Sequence, residues 1–379
     1  MQASRTSPVL LYLVTEDWYF LSHRLPMALA AQAAGYEVHV ATHLNGRGAE
    51  IEAYGFTLHP LGWKRGSLNP FHLLSIVREV RGLYKKLAPD LVHHVALQPT
   101  VTGSLAAIGL PVRRLNALTG LGFAFTSRTR KAVLIRSVLA LGLRRLLNDP
   151  LAAVLVQNPD DRAVLNKLGV AKERIFLIAG SGVDVERLQP LPEPDAPLTF
   201  AFAGRLLEDK GLRTLVAAHD LLTAQGLSLR LLIAGDCDPR NLSSISRTEI
   251  AAWKSRPGVV MTGYVADIAA IWRQAHIAVL PSRGEGVPKS LLEAAACGRP
   301  LIATDVPGCR EIARDGVNAL LVPPDDVVAL AGAIRKLAED ARLRRRFGEA
   351  GRRIVEVEFS SEIIGRQTVA LYNRLLQRA

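Results

Sequence analysis

The chain has 379 residues, about half of them hydrophobic, and a formal net charge of +12 at neutral pH. This length favours two domains, and the composition excludes a disordered chain. The three cysteines (Cys237, Cys297, Cys309) show neither disulfide nor metal-ligand spacing, which indicates a reducing compartment.

The positive charge is concentrated between residues 61 and 147. That stretch contains fourteen Lys and Arg residues against Glu79 and Asp90, so the rest of the chain is balanced. A local excess of this kind predicts an acidic partner, namely an anionic bilayer, a phosphate-bearing acceptor or nucleic acid. No recognised nucleic-acid-binding pattern occurs in the sequence, so nucleic acid is not expected as a partner.

The first half of the chain is predicted to be a parallel α/β domain. An apolar run at 8–14 is too short for a signal sequence or a membrane span and predicts a buried strand, so we expect a cytoplasmic protein. A polar and aromatic loop is predicted at 15–22, followed by a helix that begins near Ser22 or His23. A strand at 37–41 completes a βαβ unit without a Gly-x-Gly-x-x-Gly phosphate loop.

Two segments of this half are candidates for ligand contact, because loops at the carboxyl ends of parallel strands build ligand crevices. The first loop leads to His23 and Arg24. The strand at 90–95 ends in His93 and His94, and a histidine at that position could orient a reacting group. Paired histidines are also often ordinary core or surface residues.

A helix at 73–87 and a loop at 96–100 are predicted on either side of that strand. A Gly-rich turn that includes Thr119 and Gly120 comes next. The segment 128–145 has basic residues at both ends and an apolar centre of about 12 residues. As a helix this centre would be roughly 18 Å long, which is too short to span a bilayer. Two interpretations stay open for it: a helix whose basic ends reach lipid headgroups, and a buried helix with solvated ends.

Four prolines within nine residues mark the clearest domain boundary. We therefore predict an N-terminal domain at 1–189, a linker at 190–197, a C-terminal domain at 198–360 and a last helix at 361–379. Strands alternate with helices through the C-terminal domain, which predicts a second doubly wound parallel sheet.

Three motifs of the C-terminal domain lie where predicted strands end: Gly204-Arg205 with Lys210, the turn Gly263-Tyr264-Val265, and the stretch 282–294 with the sequence SRGEGVPKSLLEA. In the third motif, a helix start presents free N–H groups and the positive end of the helix dipole, which predicts an anion site. Pro288 suits the first helical position of that helix. An arginine fork and a lysine point charge facing the helix start would clamp a diphosphate.

With these motifs in order, the chain resembles the retaining glycosyltransferases of family 4. Glu285…Glu293 matches the paired-glutamate motif of that family, and Gly204-Arg205…Lys210-Gly211 matches its diphosphate motif. The resemblance implies an α/β protein of GT-B fold, with two Rossmann-like doubly wound domains facing across a cleft and a last helix that crosses back to the first domain.

The resemblance also implies roles for the matched residues. Glu285 would lie beside the transferred sugar, and Glu293, roughly 12 Å along the helix, would accept hydrogen bonds from the ribose hydroxyls. Catalytic roles are expected for Glu285, His94, Arg205 and Lys210. Donor-binding roles are expected for Gly204, Gly263, Tyr264, Val265, Gly286, Val287, Pro288, Lys289, Ser290 and Glu293. Acceptor-side roles are expected for His23, Arg24, His93, Thr119 and Gly120.

The first half resembles a narrower branch, the enzymes that extend sugars on polyprenyl diphosphate for bacterial surface polysaccharides. Residues 17–26, 93–97 and 118–122 carry this match, although the usual glycine pair of the first loop is absent. The implied partners are a nucleotide-sugar donor, UDP-linked, and a polyprenyl-diphosphate glycan acceptor. The basic stretch 61–147 would contact an anionic membrane surface, with the enzyme peripheral on the inner face of the cell membrane. No cofactor and no metal are expected.

The expected reaction is transfer with retention, in which Arg205, Lys210 and the helix start stabilise the leaving diphosphate. No carboxylate pair of glycosidase character is apparent, which argues against hydrolysis. Two other functions remain open. A nucleotide-sugar epimerase of the same architecture would need additional acid and base groups near the sugar. A non-enzymatic anion-binding protein would explain the net charge, but the basic excess lies in the half without the phosphate motifs.

Overall fold

The structure is a computed structural model that describes residues 7–63, 69–118, 140–238, 241 and 243–377. The chain divides into two compact units: unit 1 comprises Met1–Gly182 and Ser361–Ala379, and unit 2 comprises Val183–Ser360. The proline-rich segment 190–197 lies inside unit 2, where the Glu193 carboxylate accepts a hydrogen bond from Arg344 Nε at 2.6 Å. The chain therefore crosses between units before the prolines.

Unit 1 is built on a seven-stranded sheet. Its strands are β1 (Val9–Glu16), β2 (Glu37–His43), β3 (Thr57–Pro60), β4 (Leu91–Val95), β5 (Arg113–Ala117), β6 (Ala152–Val156) and β7 (Ile175–Leu177). They pair in the order β3-β2-β1-β4-β5-β6-β7, and every pair is parallel. The order reverses direction between β1 and β4, where Tyr12 and His93 are partners in register.

Helices cover this sheet. They are α1 (Asp17–His23), α2 (Leu25–Ala33), α3 (Gly48–Ala53), α4 (Pro70–Leu87), α5 (Leu97–Ala106), α6 (Pro159–Lys167) and the C-terminal helix (Ser361–Gln377). The C-terminal helix packs on α2, and a Cβ at Gly365 would lie 2.7 Å from the Ala30 methyl group. Its Tyr372 hydroxyl lies 2.8 Å from that of Tyr12 in β1. The predicted return of the last helix to the first domain is confirmed.

Two predicted loops of unit 1 are instead regular structure. The segment 15–22 contains the end of β1 and most of α1, because Phe20 and Leu21 are buried in the core and helical geometry brings both to it. The segment 96–100 is the start of α5, whose first turn accommodates Pro99 because the missing N–H has no intrahelical partner there. Both predictions of loops were wrong.

Unit 2 is built on a six-stranded sheet. Its strands are β8 (Thr199–Ala203), β9 (Arg230–Ala234), β10 (Val259–Gly263), β11 (Ile277–Leu280), β12 (Leu301–Thr304) and β13 (Ala319–Val322). They pair in the order β10-β9-β8-β11-β12-β13, all parallel, so their carboxyl ends meet at one edge. The prediction of two parallel-sheet α/β domains is confirmed.

The helices of unit 2 connect these strands. They are α7 (Leu212–Ala224), α8 (Arg247–Lys254), α9 (Ala269–Trp272), α10 (Lys289–Ala296), α11 (Cys309–Ile312), α12 (Val327–Glu339) and α13 (Ala341–Ile354). Apolar strands such as β8, with Phe200 and Phe202 fully buried, form the core between the helix layers.

Within the part of the chain that the structure describes, no helix is both long enough and apolar enough to cross a membrane. The predicted segment 128–145 lies mostly outside the described residues. Its last part belongs to a helix at 140–147, in which Leu143 is buried and Arg144 is exposed. Thr119 and Gly120, predicted on the acceptor side, also lie outside the described residues.

Candidate functional site

Three glycines bring the ends of neighbouring strands in unit 2 into close contact. Gly204 follows β8, Gly235 follows β9 and Gly263 ends β10. Gly235 has a φ of 141°, a Cβ there would lie 1.8 Å from the Gly204 carbonyl oxygen, and its N–H donates to the Gly263 carbonyl at 2.8 Å. Only glycine allows this approach, which fixes the residues that follow each strand.

Asp236 connects two of the predicted motifs. Its Oδ2 accepts a hydrogen bond from the Tyr264 N–H at 2.9 Å, and its carbonyl accepts one from the Leu206 N–H at 3.0 Å. The Tyr264 ring is 70% exposed, and Val265 beside it is half-buried. The sequence prediction missed Asp236, although it follows a predicted strand, the signal that identified its neighbours.

Lys210 and Glu285 form an ion pair at the same edge of the sheet. Lys210 Nζ lies 2.6 Å from Glu285 Oε1, and Ser282 Oγ donates to the same oxygen at 2.6 Å. The two charged side chains are 19% and 10% exposed. Gly211 makes the contact possible, because a Cβ there would lie 1.9 Å from the Pro281 carbonyl oxygen. The two loops that follow β8 and β11 are thereby held together.

Arg205 lies on the other side of the turn after β8. It is exposed, and its Nη1 lies 3.3 Å from Asp238 Oδ2. Both cations predicted to hold a diphosphate therefore lie at one edge of the sheet of unit 2, each beside a carboxylate. The sequence prediction gave no role to Asp238, which lies outside the three motifs, or to Ser282, which begins the third motif.

The loop before α10 has a defined backbone. Pro288 is the N-cap, with φ −73° and ψ 117°, and the helix starts at Lys289. The prediction of Pro288 at the first helical position is therefore wrong by one residue. Gly308, which precedes α11, packs against this loop, and a Cβ there would lie 1.7 Å from the Gly286 carbonyl oxygen. Val287 is buried, and Ser290 is half-buried in the first turn of α10.

Glu293 lies on α10 and is 15% exposed, with Lys289 Nζ 3.6 Å from its Oε1. Burial raises the pKa of Glu293 above the ordinary carboxyl value, and the nearby Lys289 offsets part of that effect. A carboxylate in such a position can accept hydrogen bonds from two neighbouring hydroxyl groups.

His94 lies in the interior of unit 1. Its Nδ1 is 2.7 Å from Asn116 Oδ1, its Nε2 is 2.8 Å from the Tyr84 hydroxyl, and it is fully buried. A Cβ at Gly103 would come within 2.2 Å of the ring, so the glycine makes room for it. Burial lowers the pKa of His94 to about 4, which keeps the ring neutral. The predicted catalytic role does not fit a ring whose two nitrogens are bonded inside the core, and we assign His94 a structural role.

The remaining acceptor-side residues of unit 1 are also largely internal. His23 ends α1 and stacks on Tyr19, with ring centroids 4.2 Å apart. Arg24 is buried between α1 and α2, and His93 is buried on the opposite side of β4 from His94. Burial and the nearby Arg24 charge hold the pKa of His93 well below its usual range.

Among the described residues, no cluster of three or more His, Cys, Asp or Glu side chains is arranged to hold a metal ion. The expectation that the reaction needs no metal or cofactor stays a prediction.

Each half of the chain matches a family model of glycosyltransferases. Residues 197–340 match the family model described as glycosyl transferases group 1, and residues 9–148 match the model described as glycosyl transferase 4-like. The capsular polysaccharide biosynthesis glycosyltransferase CapM of Staphylococcus aureus is 30% identical over 180 residues, which cover 48% of this chain and 47% of CapM.

Two further similarities extend over nearly the whole chain. The N,N'-diacetylbacillosaminyl-diphospho-undecaprenol alpha-1,3-N-acetylgalactosaminyltransferase of Campylobacter jejuni is 24% identical over 381 residues, which cover 94% of this chain and 98% of that protein. The crystal structure of Anabaena HepE in complex with UDP and glucose matches the fold with a TM-score of 0.75 at 16% identity, covering 96% of this chain and 99% of that chain.

Proposed function

The chain belongs to the glycosyltransferases of GT-B fold, and we propose on that premise that it is a retaining enzyme that uses a nucleoside-diphosphate sugar. The acceptor in this proposal is a glycan linked to a lipid diphosphate, and the setting is bacterial surface polysaccharide assembly. The observation that carries the proposal is the contact between Lys210 and Glu285 at the strand edge that also holds Arg205.

The two cations suit a leaving diphosphate. Negative charge develops on the diphosphate as the bond to the sugar breaks, and positive groups that are already in position stabilise it without reorganisation. Lys210 is held by Glu285, and Arg205 by Asp238, so both cations are positioned before a donor arrives. The N-terminal end of α10 adds the positive end of the helix dipole at the same edge. These groups are proposed to make a metal unnecessary for departure of the diphosphate.

Glu285 is proposed to lie beside the transferred sugar. Its carboxylate is fixed from two sides by Lys210 and Ser282, which keeps one oxygen in a constant position. A fixed carboxylate can stabilise the positive charge of an oxocarbenium-like transition state and accept a hydrogen bond from a sugar hydroxyl. Retention is proposed from the family resemblance, with the acceptor attacking on the face that the diphosphate leaves.

The nucleoside part of the donor is proposed to lie between the turn at Gly263-Tyr264 and helix α10. The turn offers backbone groups and an exposed ring to a base, and Glu293 offers a carboxylate to the ribose hydroxyls. The complex of Anabaena HepE with UDP supports uridine as the base by fold analogy alone.

The lipid acceptor is proposed from the printed activity of the Campylobacter relative, whose acceptor is a sugar on diphospho-undecaprenol. Such a lipid lies in a membrane, and the basic excess at 61–147 suits the anionic inner leaflet. Neutralising Arg128, Arg130, Lys131, Arg144 and Arg145 together should reduce pelleting with anionic liposomes. Unchanged pelleting would contradict peripheral attachment through this region.

The function is tested by offering the purified protein a panel of nucleotide sugars with a polyprenyl-diphosphate glycan. Release of nucleoside diphosphate that depends on both substrates supports the proposal, and the anomeric configuration of the product decides between retention and inversion. A product in which the donor sugar has changed configuration without transfer would instead identify an epimerase.

A further inference from the structure

A buried arginine in unit 1 has no carboxylate beside it within the described part of the chain. Arg24 is 1% exposed, and its Nη1 lies 3.4 Å from the Met27 sulfur, which is a weak acceptor. Its Nε is buried and has no hydrogen-bond partner among the described residues. The other buried arginines of the described chain each donate to a carboxylate or to backbone carbonyls: Arg114, Arg299 and Arg344.

An uncompensated buried charge is costly, because the desolvation of an ion inside a protein amounts to several kcal/mol. The stretches outside the described residues contain neither Asp nor Glu. Among the described residues no carboxylate pairs with Arg24, and an anion from outside the chain would offset that cost.

A second unsatisfied donor lies close by. His93 Nε2 is buried and has no partner among the described residues, whereas its Nδ1 lies 2.6 Å from the Tyr372 hydroxyl. Tyr12 stacks on His93 with ring centroids 5.0 Å apart, and its hydroxyl lies 2.8 Å from that of Tyr372. In a neutral ring whose Nδ1 accepts from Tyr372, the proton is on Nε2, which is then a second donor, and Arg24 is near enough for its charge to lower the pKa of His93.

This cluster lies at the point where the strand order of unit 1 reverses. Tyr12 and His93 are paired across β1 and β4, and Arg24 follows β1 through the short helix α1. Ligand crevices of open parallel sheets form outside the carboxyl ends of the strands at such a switch point, and Arg24 follows the carboxyl end of β1 through α1.

We infer that Arg24 and His93 form an oxyanion site in unit 1 that takes a phosphate or carboxylate group of a substrate. The guanidinium and the His93 Nε2–H are its donors. Under the proposed function the group belongs to the acceptor, and that assignment alone rests on the proposed function.

The test uses the full chain with the donor site silenced by Arg205→Ala and Lys210→Ala. Thermal unfolding is followed with inorganic phosphate, pyrophosphate or glucuronate, each against chloride at equal ionic strength. We expect a saturable rise in Tm, because a ligand that binds only the native state stabilises it. A rise with phosphate or pyrophosphate identifies a phosphate source, and a rise with glucuronate alone identifies a carboxylate source. Arg24→Met should abolish the rise, and Arg24→Lys should reduce it.

A second measurement separates binding from a structural role. Without ligand, Arg24→Met should leave Tm unchanged or raise it, because it removes an unpaired buried charge. Arg299→Met is the control and should lower Tm, because Arg299 donates to the carbonyls of Trp272 and Pro192. The inference is overturned if no probe raises Tm in the silenced background, if the rise survives Arg24→Met, or if Arg24→Met lowers Tm as much as Arg299→Met. A wrong assignment of the donor site would be detected by a different measurement, namely unchanged turnover in the Lys210→Ala single variant.

Discussion

Gly308 lies against the backbone of Gly286, so close that a Cβ at Gly308 would be 1.7 Å from the Gly286 carbonyl oxygen. The contact joins the loop after β12 to the loop before α10. The position of the helix start therefore depends on a residue far from it in sequence, which carries no functional group of its own.

Gly308→Ala should displace the loop before α10 and raise the KM for the donor by about tenfold or more, with a smaller effect on kcat. Gly316→Ala is the matched control, since Gly316 has a φ of 69° against 78° at Gly308 but has no atom within 4 Å of its Cβ position. Both variants should lose about 1–2 kcal/mol of stability to the positive φ, and Gly308→Ala should lose more because its Cβ would meet the Gly286 backbone. Equal KM values in the two variants would show that the contact does not position the donor site.

Glu293→Gln should raise Tm at pH 8 and weaken donor binding at the same time. Burial raises the native pKa of Glu293, so the native chain holds its proton more firmly than the unfolded chain does. The stabilisation from that proton is fully present below the unfolded pKa and is lost as pH rises through the native pKa. The gain from Gln should therefore disappear near pH 4, and Glu349→Gln, at an exposed glutamate of α13, should show no such trend. A lower Tm for Glu293→Gln at pH 8 would contradict the burial of a charged carboxylate.

His94→Ala should lower stability rather than the turnover of the folded enzyme. It leaves the Tyr84 hydroxyl without its partner and Asn116 Oδ1 with only Ser104 Oγ, at 3.4 Å, and an unsatisfied buried group costs about 1–3 kcal/mol. Tyr84→Phe removes one hydroxyl and keeps the ring of His94, so its cost should be smaller. Measured kcat should stay within a few-fold of wild type in both. A stable His94→Ala protein with a hundredfold loss of kcat would restore the catalytic prediction.

The dependence of the unfolding free energy on pH is a second measurement that tests the buried, neutral state of His94. Its native pKa of about 4 lies below the ordinary histidine value of 6.5, so the unfolded chain binds more protons between these values. Stability should fall as pH drops from 6.5 towards 4. His94→Ala should flatten part of that slope in a series of unfolding curves.

The order of strands and helices in both halves was predictable because each element has a local pattern of hydrophobic and turn-forming residues. The predicted alternation of strands and helices is present in unit 2, with strands such as Ile277–Leu280 and Leu301–Thr304, since short apolar runs bounded by turn residues have few alternatives inside an α/β domain. Helix α1 was not predictable in this way, because its aromatic residues and Asp17 are typical of a loop as well. Asp17 accepts hydrogen bonds from the N–H groups of Asn45 and Arg47, a contact visible only after folding.

The residues predicted for the donor side follow strands of one parallel sheet, whose ends meet at one edge, and their role stays a prediction. Their partners were missed for a physical reason. Asp238 contacts Arg205 from a different loop, and Ser282 contacts Glu285 within one loop; neither contact produces a periodic pattern in the sequence. The sequence could not place the ring of His94, because a histidine at a strand end has the same local sequence whether its ring faces a crevice or the core.

The most direct test of the account is the turnover of Lys210→Ala against wild type and Arg213→Ala, with a nucleotide-sugar donor and a polyprenyl-diphosphate glycan acceptor. Arg213 is an exposed cation of α7 that pairs with Glu208 and Glu249 and serves as the control. The account predicts a loss of about 10²–10³ in kcat for Lys210→Ala, as for removal of one preorganised group at a developing charge. The far-UV circular dichroism spectrum should remain that of wild type, and Arg213→Ala should retain nearly full activity. Wild-type turnover in a folded Lys210→Ala enzyme would contradict the assignment of the Lys210–Glu285 pair to the diphosphate-releasing site.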